Sequence, residues 1–272
     1  MPLPTQLRPG ELSQEFRAVL LAEIHRRLGE HAIRDSFGAT LNDPWDIILQ
    51  DEWVYRRHKP IDEFPDRYVD IVEHIKTVIL TGSWGGVLGW VEFVLKHPAC
   101  PQDFATFVDA ILKRCRMAYG VFDSVVICPI GSEAEAEAIK QAFVDTAAAD
   151  LNGAQAHLRN AASHLTAGHY PDSVRESVHA VEAVARVLEP TSKLLSEALA
   201  RLERSVNIHG ALKKGFNSLY AYTSDENGIR HALLDDPMAN VDETDALFML
   251  GACAAFVSYL INKARSAGLL AK

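Results

Sequence analysis

The sequence lacks the short motifs that identify many enzymes. It has four cysteines in 272 residues, and their spacing forms neither a zinc knuckle nor a redox-active pair. Its glycines form no phosphate-binding loop and no dinucleotide fingerprint, and it has neither an HExxH motif nor a serine-hydrolase elbow. We therefore expect neither a cofactor nor a bound metal ion.

Positive charge is also in short supply. Lysine and arginine number 27 against 36 aspartates and glutamates, which gives a formal net charge of −9. Such a chain is repelled by nucleic acid and by anionic lipid unless its basic residues gather locally. We expect no DNA binding and no membrane partner. A small, local basic pocket is still compatible with this composition. The first residues contain no apolar signal core, so a cytoplasmic location is expected.

Long hydrophobic runs are scarce. An uncharged run, 246–261, has 16 residues, fewer than the roughly 20 that cross a bilayer. It also contains Gly251, Ser258 and Tyr259. We interpret this run as a buried core helix rather than a membrane span.

Helical periodicity is what the sequence has in abundance. Apolar residues recur at helical spacing in segments separated by prolines, and Ser13 is a suitable N-cap for the first of them. The predicted helices of the first half are 45–55, 68–80, 87–95 and 104–117. All four tryptophans, Trp45, Trp53, Trp84 and Trp90, lie in this half and are expected to form its core.

A short β-branched stretch interrupts the helices. Residues 121–127 fit a small hairpin with its turn at Asp123 and Ser124. Ser132 and Glu135 then have the spacing of a capping box, which predicts a helix to about Ala149. Further helices are expected at 154–167, 173–188, 192–204, 211–222 and 242–267. We predict a mainly α protein, with a helical N-terminal domain over 1–150 that carries the hairpin and a helical bundle over 151–272.

The polar segment 223–236 holds the strongest candidate catalytic residues. Thr223 and Glu226 have capping-box spacing, so a short helix is expected to start there. Within that helix, Asp225, Arg230 and His231 form the candidate catalytic set. Histidine can exchange a proton near neutral pH, and arginine can hold a phosphate in a bidentate fashion. Together they suffice for metal-free RNA cleavage. The plainer alternative is a surface Glu226–Arg230 ion pair.

Other basic residues are candidate substrate-binding groups. The acidic surroundings of Arg230 would require help from Lys213 or Lys214, or from a second subunit. Arg175 is a further candidate, on a polar stripe with His179 and Glu182 that fits a solvated helix face equally well. His157 and His164 are seven residues apart on one predicted helix without an evident carboxylate partner, so no metal is assigned to them.

Four segments give the chain a family resemblance. They are AYGVFDSVVICPIGSEAEAEAIKQAF at 118–143, HYPDSVRESVHAVEAVARVL at 169–188, HGALKKGFNSLYAYTSDENGIRHALLDD at 209–236, and the apolar last helix from Asp245. In these segments the chain resembles bacterial proteins that pair an abortive-infection AbiJ-type N-terminal domain with a C-terminal HEPN domain. The resemblance implies an all-α, often dimeric bundle with a role in phage defence or toxin-like RNA cleavage.

The resemblance leaves three hypotheses. HEPN ribonucleases carry an arginine and a histidine separated by four to six residues, whereas Arg230 and His231 are adjacent and would point about 100° apart on a helix. The first hypothesis is a metal-independent endoribonuclease acting as a homodimer. The second is a non-catalytic HEPN-like sensor or interaction module, with Arg230 buried against Glu226 or Glu182. The third is a small-molecule enzyme with an enclosed pocket in the tryptophan-rich half.

Overall fold

A computed structural model describes residues 8–35, 38–192, 194–225 and 241–270, without the side chains of 35, 224 and 225. The chain divides into two compact units, Met1–Ile127 (unit 1) and Cys128–Lys272 (unit 2). The described residues contain eleven α-helices and two two-stranded sheets, which confirms the mainly α prediction.

The described residues of unit 1 form five α-helices, two of which begin at N-caps whose serine hydroxyls accept backbone N–H bonds. These N-caps are Ser13 and Ser83. A π-helical turn, Glu52–Arg56, continues the second helix, and a 3₁₀ turn covers Ile61–Glu63. The helices are α1 Gln14–Glu30, α2 Trp45–Asp51, α3 Tyr68–Thr81, α4 Trp84–Lys96 and α5 Phe104–Arg114.

The core of unit 1 is built from apolar faces of these helices. Phe16, Trp45, Trp90 and Phe104 are fully buried, and the Trp45 ring meets the Phe104 ring edge-on with centroids 5.8 Å apart. Three of the four tryptophans are buried, as predicted. The prediction was wrong for Trp84, which is 38% exposed.

Unit 1 also holds a hairpin that the sequence did not predict. Strand β1 (Ala32–Asp35) pairs antiparallel with β2 (Gly38–Leu41), with Ala32 opposite Leu41 and Asp35 opposite Gly38. These four-residue strands mix charged, small and apolar residues, so they lack the alternation that marks a half-buried strand. No strand was predicted between the first helix and the helix at 45–55, so this hairpin adds to the predicted elements.

The predicted second hairpin is present. Strands β3 (Tyr119–Phe122) and β4 (Val126–Pro129) form a two-stranded sheet. Asp123 and Ser124 both have positive φ, 50° and 59°, and the Val125 N–H donates to the Phe122 carbonyl at 3.1 Å. Two left-handed central residues are the signature of a type I′ turn, whose twist matches that of the paired strands.

Six helices are described in unit 2, outside the gaps at 193, 226–240 and 271–272. α8 packs against α7, α9, α10 and α11, and α11 also packs against α6. Because α6 packs with these helices, the compact unit begins at Cys128, before the expected domain start at residue 151. The helices are α6 Glu133–Ala148, α7 Asn152–Thr166, α8 Tyr170–Leu188, α9 Leu195–Val206, α10 Gly210–Asp225 and α11 Glu243–Ser266.

The last helix is long and apolar enough, by length and composition, to cross a membrane. Half of its most apolar window is buried. Leu250, Val257 and Leu260 are among its buried residues. The core helix of a soluble protein passes the same test, so the interpretation of α11 as a core helix stays a prediction.

Candidate active site

Most of the predicted catalytic set lies outside the part of the chain that the structure describes. Arg230 and His231 lie outside the described residues, and Asp225 is the last residue of α10, with its side chain also outside them. Thr223 is wrongly predicted as a helix start, because it lies within α10, fully buried, and its hydroxyl donates to the Tyr220 carbonyl at 2.7 Å.

The predicted substrate-binding cations are placed on α8 and α10, and two of the three have acidic partners. Arg175 forms an ion pair with Asp172, and Lys213 forms one with Glu203. Lys214 is exposed on α10. Two of these three positive charges are therefore already compensated within unit 2.

A different group of side chains comes together on the α7–α8 hairpin. His157 on α7 and His179 on α8 flank Glu176, and the ligating atoms of the three lie within 4.8 Å of one another. The Nδ1 atom of His157 is 2.8 Å from Glu176 Oε2, and the Nδ1 atom of His179 is 3.6 Å from Glu176 Oε1. We call these three residues the histidine pair and its carboxylate.

The sequence-based prediction that His157 has no carboxylate partner was wrong. Glu176 comes nineteen positions later in the chain, on the next helix. Only the register between α7 and α8 brings the two together. The helices predicted at 154–167 and 173–188 are the right two, but their register is not encoded locally, so this contact had no signal in the sequence alone.

Small buried residues let the two helices approach closely. Ala161 on α7 and Ser173 and Ser177 on α8 are fully buried. The Ser173 hydroxyl donates to the Ala161 carbonyl at 2.8 Å, and the Ser177 hydroxyl donates to the Ser173 carbonyl at 2.8 Å. Because these side chains are short and their hydroxyls are satisfied inside the hairpin, the backbones set the spacing between His157 and His179.

The carboxylate of the cluster is held in its charged form. Burial alone would raise the pKa of Glu176, but hydrogen bonds from His157 and from Asn160 outweigh it and bring the pKa below its ordinary value of 4.5. Glu176 is 14% exposed, whereas His157 and His179 are 35% and 30% exposed. An ionised, half-enclosed carboxylate thus orients two imidazoles that solvent can reach.

The arrangement supports two kinds of chemistry. The rings of His157 and His179 are 5.3 Å apart, close enough for both to act on one phosphodiester as acid and base. Two histidines and one carboxylate are also a donor set that zinc and other transition metals accept. The expectation that no metal binds stays a prediction.

A second cluster lies at the turn between the same helices. The ligating atoms of His164, His169 and Asp172 lie within 4.8 Å of one another. Asp172 is the residue that forms the ion pair with Arg175, so this carboxylate already has a cationic partner. We therefore regard the histidine pair around Glu176 as the better candidate site.

Comparisons with protein-family models, with curated protein sequences and with solved structures give no match. The resemblance to AbiJ-type and HEPN proteins consequently rests on the sequence segments alone.

Proposed function

We propose that the chain is a phage-defence protein whose unit 2 is a HEPN-like module that cleaves RNA without a metal ion at the histidine pair of α7 and α8. The observation that supports this proposal is one ionised carboxylate, Glu176, holding His157 and His179 at the surface of the hairpin. Activity in the cytoplasm and as a homodimer is part of the same proposal.

The chemistry needs no group beyond those on the hairpin. One imidazole takes the proton from a ribose 2′-hydroxyl, whose oxygen attacks the adjacent phosphorus. The other imidazole gives a proton to the departing 5′-oxygen as its bond to phosphorus breaks. The products are a 2′,3′-cyclic phosphate and a 5′-hydroxyl, and no water or oxidant is consumed. Glu176 keeps the rings oriented and stabilises whichever of them carries the extra proton.

Arg175 is the candidate group for the charge that builds up on the phosphate oxygens. It precedes His179 by four residues on α8, which puts the two side chains on the same face of the helix. The Arg175 guanidinium, 34% exposed, contacts Asp172. A substrate phosphate would have to compete with Asp172 for this guanidinium, which offers donors for bidentate binding.

Arg230 and His231 form the competing catalytic centre. They are an arginine and a histidine of the HEPN-like segment 209–236, but their adjacency argues against a shared pocket on one helix. Separate variants of His157, His179 and His231 distinguish the two centres.

A specific observation favours a second candidate function, a non-catalytic HEPN-like interaction module. Arg175 and Lys213 both form ion pairs with carboxylates of unit 2, which leaves less positive charge for RNA. The Arg230 contact expected for such a module cannot be placed, since Arg230 lies outside the described residues. Glu182, its suggested partner, is nearly buried and lies 4.0 Å from Arg186.

The test is cleavage of a labelled RNA by the purified full chain in the presence of EDTA. We expect 2′,3′-cyclic phosphate ends, a bell-shaped dependence of the rate on pH, and no cleavage of a strand with a 2′-deoxy sugar at the cut site. His157→Ala and His179→Ala should each lower the rate by about 10²-fold or more. Exposed His25 on α1 offers a matched control, His25→Ala, which should cleave like the wild type.

Three results would contradict this assignment. Cleavage that survives both substitutions but is lost in His231→Ala would move the centre to segment 226–240. Activity that appears only when a divalent metal is added would replace acid–base catalysis with metal chemistry. Absence of cleavage by the folded wild type on any RNA would leave the interaction module.

A further inference from the structure

A buried carboxylate in unit 1 gathers three basic side chains around it. Glu52 is fully buried and accepts hydrogen bonds from Arg57 Nε at 2.8 and 3.1 Å and from Arg56 Nη1 at 3.3 Å. His74 of α3 approaches the same carboxylate, with its Nε2 atom 3.4 Å from Glu52 Oε2. One negative charge thus faces two guanidiniums and an imidazole.

The π-helical turn explains how two adjacent arginines reach one acid. Neighbours on an α-helix point about 100° apart, so residues at i+4 and i+5 would not normally share a partner equally. Here the Arg57 N–H donates to the Glu52 carbonyl, an i→i+5 bond of 3.1 Å that widens the turn. Arg56 and Arg57 therefore lie on either side of Glu52. Such turns are frequent at functional sites.

Arg56, Arg57 and His74 also line a cavity of about 250 Å³. No aspartate or glutamate is among its lining residues, which are Arg56, Arg57, His74, Thr77, Val78, Thr81, Gly82 and Gly86. Both guanidiniums remain in contact with solvent, with side-chain exposures of 26% and 29%. Glu52, the carboxylate that both guanidiniums contact, is itself fully buried.

Hydrogen-bond donors are left over on the cavity side. Arg56 uses Nη1 for Glu52 and Nη2 for the Gly86 carbonyl, at 2.7 Å. Arg57 reaches Glu52 through Nε alone, and its two Nη groups have no hydrogen-bond acceptor among the described residues. A guanidinium held at Nε with both Nη groups directed elsewhere is suited to bidentate binding of an oxyanion.

We propose that this cavity of unit 1 binds a small phosphate monoester, with Arg57 and Arg56 holding the phosphate. Two guanidiniums against one carboxylate leave a net positive charge even when His74 is neutral, which favours an anion over a neutral or cationic ligand. The volume exceeds that of a phosphate group, so it accommodates part of the molecule esterified to it. This site lies in unit 1 and does not depend on RNA cleavage by unit 2.

Because Arg57 contacts Glu52 through Nε alone, substitutions can weaken phosphate binding without removing the contact that stabilises the fold. Arg57→Gln removes the positive charge while its amide can still donate to Glu52. Thr77→Glu adds a carboxylate to the cavity wall at an exposed position of α3 and leaves the Glu52 contacts untouched. Arg67, an exposed arginine paired with Asp70 outside the cavity, provides the matched control Arg67→Gln.

The experiment is titration calorimetry of the full chain with inorganic phosphate, adenosine 5′-monophosphate and adenosine. We expect saturable binding of the monophosphate and of phosphate, and none of adenosine. Arg57→Gln and Thr77→Glu should each weaken binding roughly tenfold or more, and Arg67→Gln should not change it. Circular dichroism of each variant establishes that it is folded.

The proposal is overturned if the folded wild type binds neither phosphate nor the monophosphate. It is also overturned if adenosine binds as tightly as its monophosphate, or if Thr77→Glu, folded, binds the monophosphate like the wild type.

Discussion

Ser173 donates a hydrogen bond from its fully buried hydroxyl to the main-chain carbonyl of Ala161, 2.8 Å away on the facing helix. This bond joins α7 to α8 between His157 and the hairpin turn. It makes the helix spacing, and with it the geometry of the histidine pair, sensitive to a residue that carries no catalytic chemistry.

Substitutions of Ser173 should therefore distinguish the effect of losing this hydrogen bond from the effect of changing the distance between the two helices. Ser173→Ala keeps the helices close and should cost about 1 kcal/mol of unfolding free energy. Ser173→Val adds volume between the helices and should cost about 1–3 kcal/mol. Only the valine variant should also disturb the His157–Glu176 contact, seen as shifted imidazole resonances. Denaturant unfolding provides the free energies.

Ser218 supplies the control for this series. Its exposed hydroxyl donates within a single helix, to the Lys214 carbonyl at 3.1 Å, so Ser218→Ala should be nearly neutral. Equal effects of Ser173→Ala and Ser173→Val would contradict the idea that small side chains set the spacing.

Gly251 of α11 makes room for a side chain of α6. A Cβ atom at this position would lie 2.9 Å from Glu135 Cγ, closer than a packed contact allows. Gly251→Ala should thus cost about 1–3 kcal/mol despite the better helix propensity of alanine. In the background of Glu135→Ala the same substitution should cost less, a coupling of about 1 kcal/mol in a double-mutant cycle.

Gly215 in α10 provides the contrasting case. Beyond the helix's own backbone, no atom of the described residues lies within 4 Å of the Cβ position there, so Gly215→Ala should stabilise the protein by about 1 kcal/mol. An additive result for Gly251→Ala and Glu135→Ala would show that the two residues do not interact.

Glu135 should also make the stability of unit 2 depend on pH. Burial raises the pKa of its carboxyl above the ordinary 4.5, and only one of its oxygens is bonded, by the Gly131 N–H at 3.1 Å. The folded state therefore binds more protons than the unfolded state between 4.5 and the raised pKa. This group's contribution to stability falls as pH rises through that interval.

Replacing Glu135 with glutamine removes the charge and keeps an acceptor for Gly131. Glu135→Gln should raise the melting temperature at neutral pH, and the difference from the wild type should shrink as the solution is acidified toward pH 4. Melting curves across this pH range test the expectation. A difference that is constant with pH would show that ionisation of Glu135 is not the cause.

The sequence predicts the helices of this protein better than its contacts. The apolar spacing in 68–80 and the caps at Ser13 and Ser132 are local signals, and the structure confirms the helices they predict. The I′ turn at Asp123 and Ser124 is local as well. By contrast, β1 and β2 have no alternating pattern, and their pairing depends on tertiary context.

The candidate sites depend on register and on backbone irregularity, which no local pattern encodes. His157 meets Glu176 only after two helices have packed with a particular offset. The convergence of Arg56 and Arg57 on Glu52 requires a π-helical turn in a stretch that reads as continuous α-helix. The sequence favoured Arg230 and His231 because a polar segment there combines an arginine and a histidine, and residue type is visible in a sequence whereas contact between distant side chains is not.

The close α7–α8 contact has a consequence for how relatives of this protein would diverge. When alanine and serine backbones fix the distance between two functional side chains, the buried small residues are under the same selection as the side chains themselves. Homologues that retain both histidines should retain Ala161, Ser173 and Ser177, and lineages that enlarge any of these three should have lost the histidines too.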